Sequence, residues 1–484
     1  MVKPHKIHKK KTGFFRFKQN SGGYLITNDL GCFAQLREEE FRAFVGGTLS
    51  KQSRLYAELS RNFFINDKRT AGTASLRYQS RYQYLCKGPT LHIIVVTLRC
   101  NYACVYCQAN RKSEAMTQYD MTRETAKNVV DRIFESPERT LTIEFQGGEP
   151  LLNWPVVRFI VSYSRDKELE TGKKVHMTMV SNLSLMSEEK FAFLMEKDVH
   201  LCTSLDGPEH IHNKNRPCQK LNSYRATTEW IKKLREKEHQ RHATGDKKYP
   251  HKLGALLTIT KSSLGHLKEI IDEYLRYDFR VIHLRRLSFL GFSGGSAREV
   301  IGYTAEEFIA AWKKAMDYII DLNLKGTIFS ERGTLIFLHK MLTPVDPGYM
   351  DVRSPCGAAV GQLAYNYDGK VYTCDEARML KEDVFLLGNV NTESYQQIVS
   401  SPKVKTVLVA STLENFSCDE CVYKAYCGIC PVLNYFLHGS IFPTINATDG
   451  CKIHTAMLDY IFEKRQDKDI ADIFNMWVRT FPFL

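Results

Sequence analysis

Cys100-Asn101-Tyr102-Ala103-Cys104-Val105-Tyr106-Cys107 sets three cysteines in a Cys-x3-Cys-x2-Cys pattern directly after the apolar run His92-Ile93-Ile94-Val95-Val96-Thr97-Leu98. The run is dense in β-branched residues and reads as a buried strand, so the three sulfurs fall on the loop leaving its C-terminal end. Sites in α/β proteins are built at such ends. Closely spaced thiolates suit zinc or an iron-sulfur cluster, and a trio leaves one metal position without a thiolate. From the residues alone, the trio is either a cluster open at one iron, a zinc knuckle lacking its fourth ligand, or an incidental grouping.

Working outward, 484 residues exceed one compact core of ordinary size and predict two or three domains. No apolar run reaches the roughly eighteen residues that span a bilayer. The basic start, Met1 to Lys11, is followed by Gly13-Phe14-Phe15-Arg16-Phe17-Lys18 rather than an apolar segment, so it does not resemble a secretory signal, and a cytoplasmic location is expected. Fourteen cysteines in a reducing compartment are metal ligands or buried thiols more often than disulfides. The net charge of +13 is concentrated at Lys3–Lys11 and from Arg235 to Lys252, runs that read as solvated tails or loops. It permits nucleic acid, an anionic cofactor or an acidic peptide as partner without choosing among them.

Residues Phe14 to Ile65 hold three short alternating segments, Phe15–Phe17, Tyr24–Thr27 and Cys32–Leu36, then helical patterns over Arg37–Val45 and Gln52–Phe64. From His92 strands alternate with helices, the signature of βαβ units. The strands are expected at His92–Leu98, Leu141–Gln146, Val175–Asn182, Val199–Leu205, Leu253–Thr260 and Arg280–Leu287. The helices are expected near Thr122–Glu135, Pro155–Glu168, Ser187–Lys197, Ser223–Glu238, Ser263–Tyr277 and Thr304–Leu322, with Ser187 and Thr304 as N-caps. Six such units form an incomplete barrel. Ile328 to Met350 reads as a connector. The division is therefore 1–85, a small α+β subdomain; 86–325, the α/β partial barrel; 326–350, the connector; and 351–484, a cysteine-rich C-terminal segment.

Three strand ends carry polar motifs. Gln146-Gly147-Gly148-Glu149-Pro150 follows the second strand; its glycines allow close backbone approach, and Glu149 either balances an ammonium group or is part of a structural turn. Ser181-Asn182 follows the third, and Ser204-Leu205-Asp206-Gly207-Pro208 the fourth, where Asp206 either faces a ligand or caps a turn. The C-terminal segment holds Cys356, Cys374, Cys418, Cys421, Cys427, Cys430 and Cys451. Taken alone, the run Cys418-x2-Cys421-x5-Cys427-x2-Cys430 could be a tetrahedral zinc site. Cys202 lies in an apolar strand and reads as core.

The cysteine loop and the strand before it resemble the radical S-adenosylmethionine (SAM) enzymes. The resemblance implies a partial (β/α)6 barrel in which Cys100, Cys104 and Cys107 hold a [4Fe-4S] cluster whose fourth iron is chelated by SAM, with Tyr106 beside the adenine. It implies further SAM contacts from Gly147, Gly148 and Glu149 near the amino group, from Ser181 and Asn182 near the ribose and carboxylate, and from Asp206. Cys356-x12-Gly369-x4-Cys374, the four-cysteine run and Cys451 resemble the SPASM extension of peptide-modifying members, which binds auxiliary [4Fe-4S] clusters. Two residues separate the last pair of the run where three are usual, which leaves its ligand geometry open. The resemblance assigns Cys418, Cys421, Cys427 and Cys451 to a distal cluster and Cys356, Cys374 and Cys430 to one nearer the barrel. Two clusters held only by cysteine require eight thiolates; with seven present, the remaining ligand is Asp375, Cys86 or substrate. Asp375 is also the candidate catalytic base, by analogy with sulfatase-maturing relatives, or else structural.

Gln52–Leu59, Val95–Cys100, Ile143–Glu149 and Tyr365–Gly369 resemble the His-Xaa-Ser system radical SAM maturases. The small sheet and two helices resemble the winged-helix-like elements that bind leader peptides, a subdomain for packing alone being the other reading. The activity implied is reductive cleavage of SAM to a 5′-deoxyadenosyl radical, which takes hydrogen from a ribosomally made peptide. The implied partners are a precursor peptide with His-Xaa-Ser repeats, a flavodoxin or ferredoxin as electron donor, and a partner maturase; neither a membrane nor nucleic acid is among them. Two rival readings stand: an anaerobic sulfatase-maturase-like enzyme, and a zinc-stabilised nucleic-acid-binding protein.

Overall fold

The computed structural model describes residues 12–68, 70–243, 253–291, 296–415, 418–445 and 448–481. The basic run at Lys3–Lys11 lies outside them, as do Lys247, Lys248 and Lys252. The part of the second run that is described is helix rather than loop: Ser223–Ala243 is one helix, and its Arg235 and Glu238 are buried and paired at 2.6 Å.

Three strands, β1 (Arg16–Asn20), β2 (Gly23–Thr27) and β3 (Phe33–Leu36), form an antiparallel sheet in the order β1-β2-β3. The helices Glu38–Val45 and Arg54–Arg61 follow, and their apolar faces close a small core around Phe41, Phe44, Leu59 and Phe64. A third helix, Ala71–Tyr82, was not visible as a pattern because its only buried side chain is Arg81. That arginine donates to the carbonyls of Lys340 and Ala425 and so ties its helix to Lys340 and to the C-terminal segment.

The central sheet has eight strands in the order β13-β12-β11-β4-β5-β6-β7-β8. Its parallel run is β4 (Leu91–Val95), β5 (Thr140–Gln146), β6 (Lys174–Val180), β7 (Val199–Ser204) and β8 (Leu253–Leu256). Period-two alternation decides which side chains reach the interior. In β5, Leu141, Ile143 and Phe145 lie buried beneath the outer helices, whereas Glu144 and Gln146 face an inner cavity. Ser187 and Thr304 cap the helices Glu188–Glu196 and Ala305–Leu324, each accepting a backbone N–H.

Two expectations are corrected. The sixth strand is only β9 (Val281–Ile282); it pairs with β10 (Ser330–Glu331) and does not join the central sheet. The segment read as a connector contains β10 and the helix Arg332–Leu342, which is buried over almost its whole length and therefore lacks the one-sided periodicity that would reveal it. On the other edge of β4, the C-terminal segment extends the sheet. There β11 (Gln362–Tyr365) pairs parallel to β4, and β12 (Lys370–Tyr372) and β13 (Leu386–Asn389) follow antiparallel. Buried His92 locks this junction: its Nδ1 lies 3.0 Å from the Tyr365 hydroxyl and its Nε2 lies 3.1 Å from the Pro89 carbonyl oxygen. No described helix is long and apolar enough to cross a membrane.

Candidate active site

At the C-terminal ends of the parallel strands a cavity of about 770 Å³ is lined by Cys100, Cys104, Cys107, Tyr106, Gly147, Gly148, Glu149, Ser181 and Asn182. Asp375, Glu376 and Arg378 line the same cavity. The cysteine loop is held from behind: Cys100 N–H donates to Lys112 O at 3.1 Å, Ala103 N–H to Pro217 O at 2.9 Å and Val105 N–H to Asn215 O at 2.9 Å. Arg99 anchors its base, donating to both Asp120 carboxylate oxygens at 2.8 and 2.6 Å.

The glycine pair is explained by this loop. A Cβ on Gly147 would collide with the Thr97 carbonyl oxygen, and one on Gly148 with that of Arg99. Only glycine lets the β5 turn pass this close to the cysteine loop. Glu149 then ties β5 to β6. Its carboxylate accepts from Ser181 Oγ at 2.7 Å, Asn182 N–H at 2.8 Å and Leu151 N–H at 3.1 Å. An ionised carboxylate has about four acceptor positions, so one is left without a protein donor. Burial pushes its pKa up, against the pull of those three hydrogen bonds. Asn182 Nδ2 donates to Asn101 Oδ1 at 3.0 Å and Asn101 Nδ2 to Ser184 Oγ at 2.8 Å, so the third strand end also clasps the cysteine loop.

Asp206 is fully buried and does not line the cavity. It acts on two residues that do. Tyr106 Oη donates to its Oδ2 at 2.6 Å, and Arg216 Nε lies 3.2 Å from the same oxygen. Arg216 also sits 5.3 Å over the Tyr106 ring and 3.8 Å from Cys104 Sγ. The sequence reading missed Arg216; its signal is position, ten residues past Asp206 on the loop ending the helix Glu209–Asn215. It missed Glu144 as well. Cys202, read as core, instead lines the cavity from β7.

The C-terminal cysteines fall into two groups. Cys418, Cys427 and Cys451 share an apolar cluster, and burial, with a further contribution from Cys421, raises the pKa of each. Cys356, Cys374 and Cys430 share another, and burial, then the charge of Glu376 and the neighbouring cysteines, raises the pKa of Cys374 and Cys430. A second cavity, of about 380 Å³, is lined by Cys418, Cys421, Cys427, Cys430 and Cys451. Cys86 is exposed and lines neither cavity.

This donor chemistry fits iron-sulfur clusters. Burial pushes the Cys104 thiol up to about 11 and Cys356 and Cys427 up to about 12, and a bound metal ion favours the thiolate form of such a ligand. Backbone N–H groups point at three of the cysteine sulfurs: Tyr102 at Cys100, Ala358 at Cys356 and Leu433 at Cys430, each 3.4 Å from sulfur. Four thiolates around one zinc at about 2.3 Å would stand roughly 3.8 Å apart. Among the described residues, the one group of three or more metal-ligating side chains with ligand atoms all within 4.8 Å is His210, His266 and Glu269, which contains no cysteine. The sulfurs are thus spaced more widely than a single zinc ion requires.

Comparison with known proteins agrees. Residues 94–245 match the Radical SAM superfamily, and residues 356–430 match the SPASM iron-sulfur cluster-binding domain. The cysteine-type anaerobic sulfatase-maturating enzyme of Clostridium perfringens is 23% identical over 337 residues, 68% of this chain and 84% of that one. The structure of native anSMEcpe with bound AdoMet superposes with a TM-score of 0.64 at 19% identity, covering 80% of this chain and 99% of that one. Streptococcus suis SuiB bound to precursor peptide SuiA gives 0.52 at 14% identity, covering 90% and 98%. The zinc-based reading is set aside: the chain carries a Radical SAM domain and a SPASM domain, is homologous to anaerobic sulfatase-maturating enzymes, and is an enzyme whose cofactors are S-adenosylmethionine and [4Fe-4S] clusters, auxiliary ones included.

Proposed function

We propose that this enzyme installs a modification on a ribosomally made peptide by removing hydrogen from one of its C–H bonds. The observation that carries this is a single cavity of about 770 Å³ bounded at once by the first cysteine trio, the di-glycine turn and the Asp375–Arg378 edge of the C-terminal segment. When bound, the cluster held by Cys100, Cys104 and Cys107 and the SAM beside it supply a 5′-deoxyadenosyl radical.

The residues of the chain hold and orient. Glu149, with its one acceptor position left over, takes the SAM ammonium group, while Ser181 and Asn182 are fixed by that same carboxylate beside the carboxylate and ribose. Tyr106 is held against the adenine by Asp206 and Arg216, and the backbones of Gly147 and Gly148 form the adjoining wall. On the substrate side, Asp375 accepts a hydrogen bond from Arg378 Nε at 2.7 Å. As a base toward peptide it acts from within that pair, which fixes where its carboxylate stands.

The N-terminal subdomain, 1–85, supplies the docking place. Strands β1 and β3 each pair on one side only among the described residues, so an extended leader can add to an edge. The sheet rests on the auxiliary-cysteine region through Thr27 Oγ1 to Val422 O at 2.6 Å and the Phe33–Phe462 ring contact at 5.2 Å. SuiB, similar in fold, was crystallised with its precursor peptide. The subfamily we favour is the His-Xaa-Ser maturases, acting in the cytoplasm with a flavodoxin or ferredoxin as reductant. The test is anaerobic incubation of enzyme, SAM and dithionite with the short peptide encoded beside its gene. A mass change in the peptide, together with 5′-deoxyadenosine, supports the proposal; 5′-deoxyadenosine formed while the peptide stays unmodified, and is modified in no other preparation, removes it.

A further inference from the structure

The nearer auxiliary group has three thiolates, Cys356, Cys374 and Cys430, and this inference rests on the ligand partition given above. We infer that the carboxylate of Glu376 is the remaining protein ligand of that cluster.

Glu376 stands two residues after Cys374 at the start of the turn Glu376–Met379, which packs on the helix Pro431–His438 that Cys430 caps. Its side chain lines both cavities, the larger one at the barrel mouth and the smaller one that also exposes Cys430. Among the described residues no other side chain gives it a hydrogen bond or an ion pair within 4 Å. Burial raises the Cys374 and Cys430 thiols, and the charge of Glu376 raises both further.

The alternatives are otherwise engaged. Asp375 is buried against Arg378 and lines only the larger cavity. Asp351 also lines both cavities but is exposed and lies more than twenty residues before Cys374, and Cys86 is exposed and lines neither. A carboxylate oxygen is a harder and weaker donor to iron than a thiolate. Replacing thiolate by a weaker donor raises the potential of a cluster, as histidine does in Rieske centres. The cluster so held is therefore easier to reduce than its cysteine-only neighbour and gives up its oxygen-bound iron more readily.

The test uses the full-length protein with Cys100, Cys104 and Cys107 all replaced by alanine, reconstituted anaerobically with iron and sulfide, so that only auxiliary clusters remain. Potentiometric titration followed by electron paramagnetic resonance is then compared for this background and for added Glu376→Cys, Glu376→Gln or Asp375→Asn. We expect Glu376→Cys to lower the potential of one cluster. We expect Glu376→Gln to yield a [3Fe-4S] signal on mild oxidation, and Asp375→Asn to leave both potentials in place. Unchanged spectra and potentials in both Glu376 variants would overturn the assignment, as would the effect appearing with Asp375→Asn instead. A spectral change in the background protein on adding a thiol-containing peptide would give the position to substrate. A background protein that binds no clusters at all would instead overturn the two-cluster partition itself, and the ligand with it.

Discussion

The Tyr106 hydroxyl donates to Asp206 at 2.6 Å, and Asp206 in turn holds Arg216, so the cysteine loop and the end of β7 are joined through one buried carboxylate. Burial pushes the Asp206 pKa up, whereas Arg216 and Tyr106 pull it down. Asp206→Ala strands Arg216 as an uncompensated buried cation, at a cost on the order of 3–5 kcal/mol. Tyr106→Phe removes one charge-assisted hydrogen bond, worth about 2 kcal/mol. Anaerobic thermal unfolding of the two variants should show Asp206→Ala as the less stable; equal midpoints would contradict the network.

The two glycines after β5 differ from a glycine with room. Gly148→Ala drives a Cβ into the Arg99 carbonyl oxygen and should cost about 3 kcal/mol or more, because backbone must move. Gly72 lies in the helix Ala71–Tyr82 with nothing within 4 Å of its would-be Cβ. Gly72→Ala should therefore stabilise by up to about 1 kcal/mol through helix propensity. Denaturant midpoints of both variants check the contrast.

Lys340 gives a pH signature. It is buried, donates to the Val352 carbonyl and lies 3.8 Å from Asp346, and burial lowers its pKa from 10.5 to about 8. Below pH 8 both folded and unfolded chains are charged there and the folded state bears the full burial cost. Between about 8 and 10.5 the unfolded chain alone keeps the proton, so stability from this group rises with pH, by about 3 kcal/mol across the window. Asp346 retains Arg353 at 2.5 Å, so Lys340→Met leaves no unpaired charge. The stability difference, wild type minus Lys340→Met, should rise from pH 8 to 10.5; a flat difference would contradict the assignment.

Cys202 and the ligating cysteines should separate cleanly. Cys202 reaches the barrel cavity, and among the described residues Glu144 and Arg332, not another cysteine, are the charged groups acting on it, so Cys202→Ser should retain full iron, whereas Cys374→Ser should lose part of the auxiliary iron. Colorimetric iron analysis decides it, and iron loss on replacing Cys202 would show that the ligand set is wrong.

The grouping of the cysteines was legible because closely spaced thiols stand out in a sequence: Cys100, Cys104 and Cys107 line the larger cavity, and Cys418, Cys421, Cys427 and Cys430 the smaller. Gly147, Gly148 and Glu149 were legible by position after a strand, although the reason for the glycines, passage against Thr97 and Arg99, needed coordinates. Arg216 was not, since one arginine among 67 basic residues carries no pattern until the fold sets it over Tyr106. Glu144 looked like the polar member of an alternating strand; only sheet curvature turns that face toward a cavity. The helix Arg332–Leu342 escaped because burial on all sides erases amphipathic periodicity, and β9 shrank to two residues because its partner is β10 rather than β8.

The most direct test of the whole account is an iron and acid-labile sulfide count on anaerobically purified full-length protein, set beside Cys104→Ala. Three [4Fe-4S] clusters predict about twelve irons per chain, about four of them lost in the variant, with 5′-deoxyadenosine formation abolished. Stoichiometric zinc without labile sulfide, or undiminished SAM cleavage by Cys104→Ala, would contradict it.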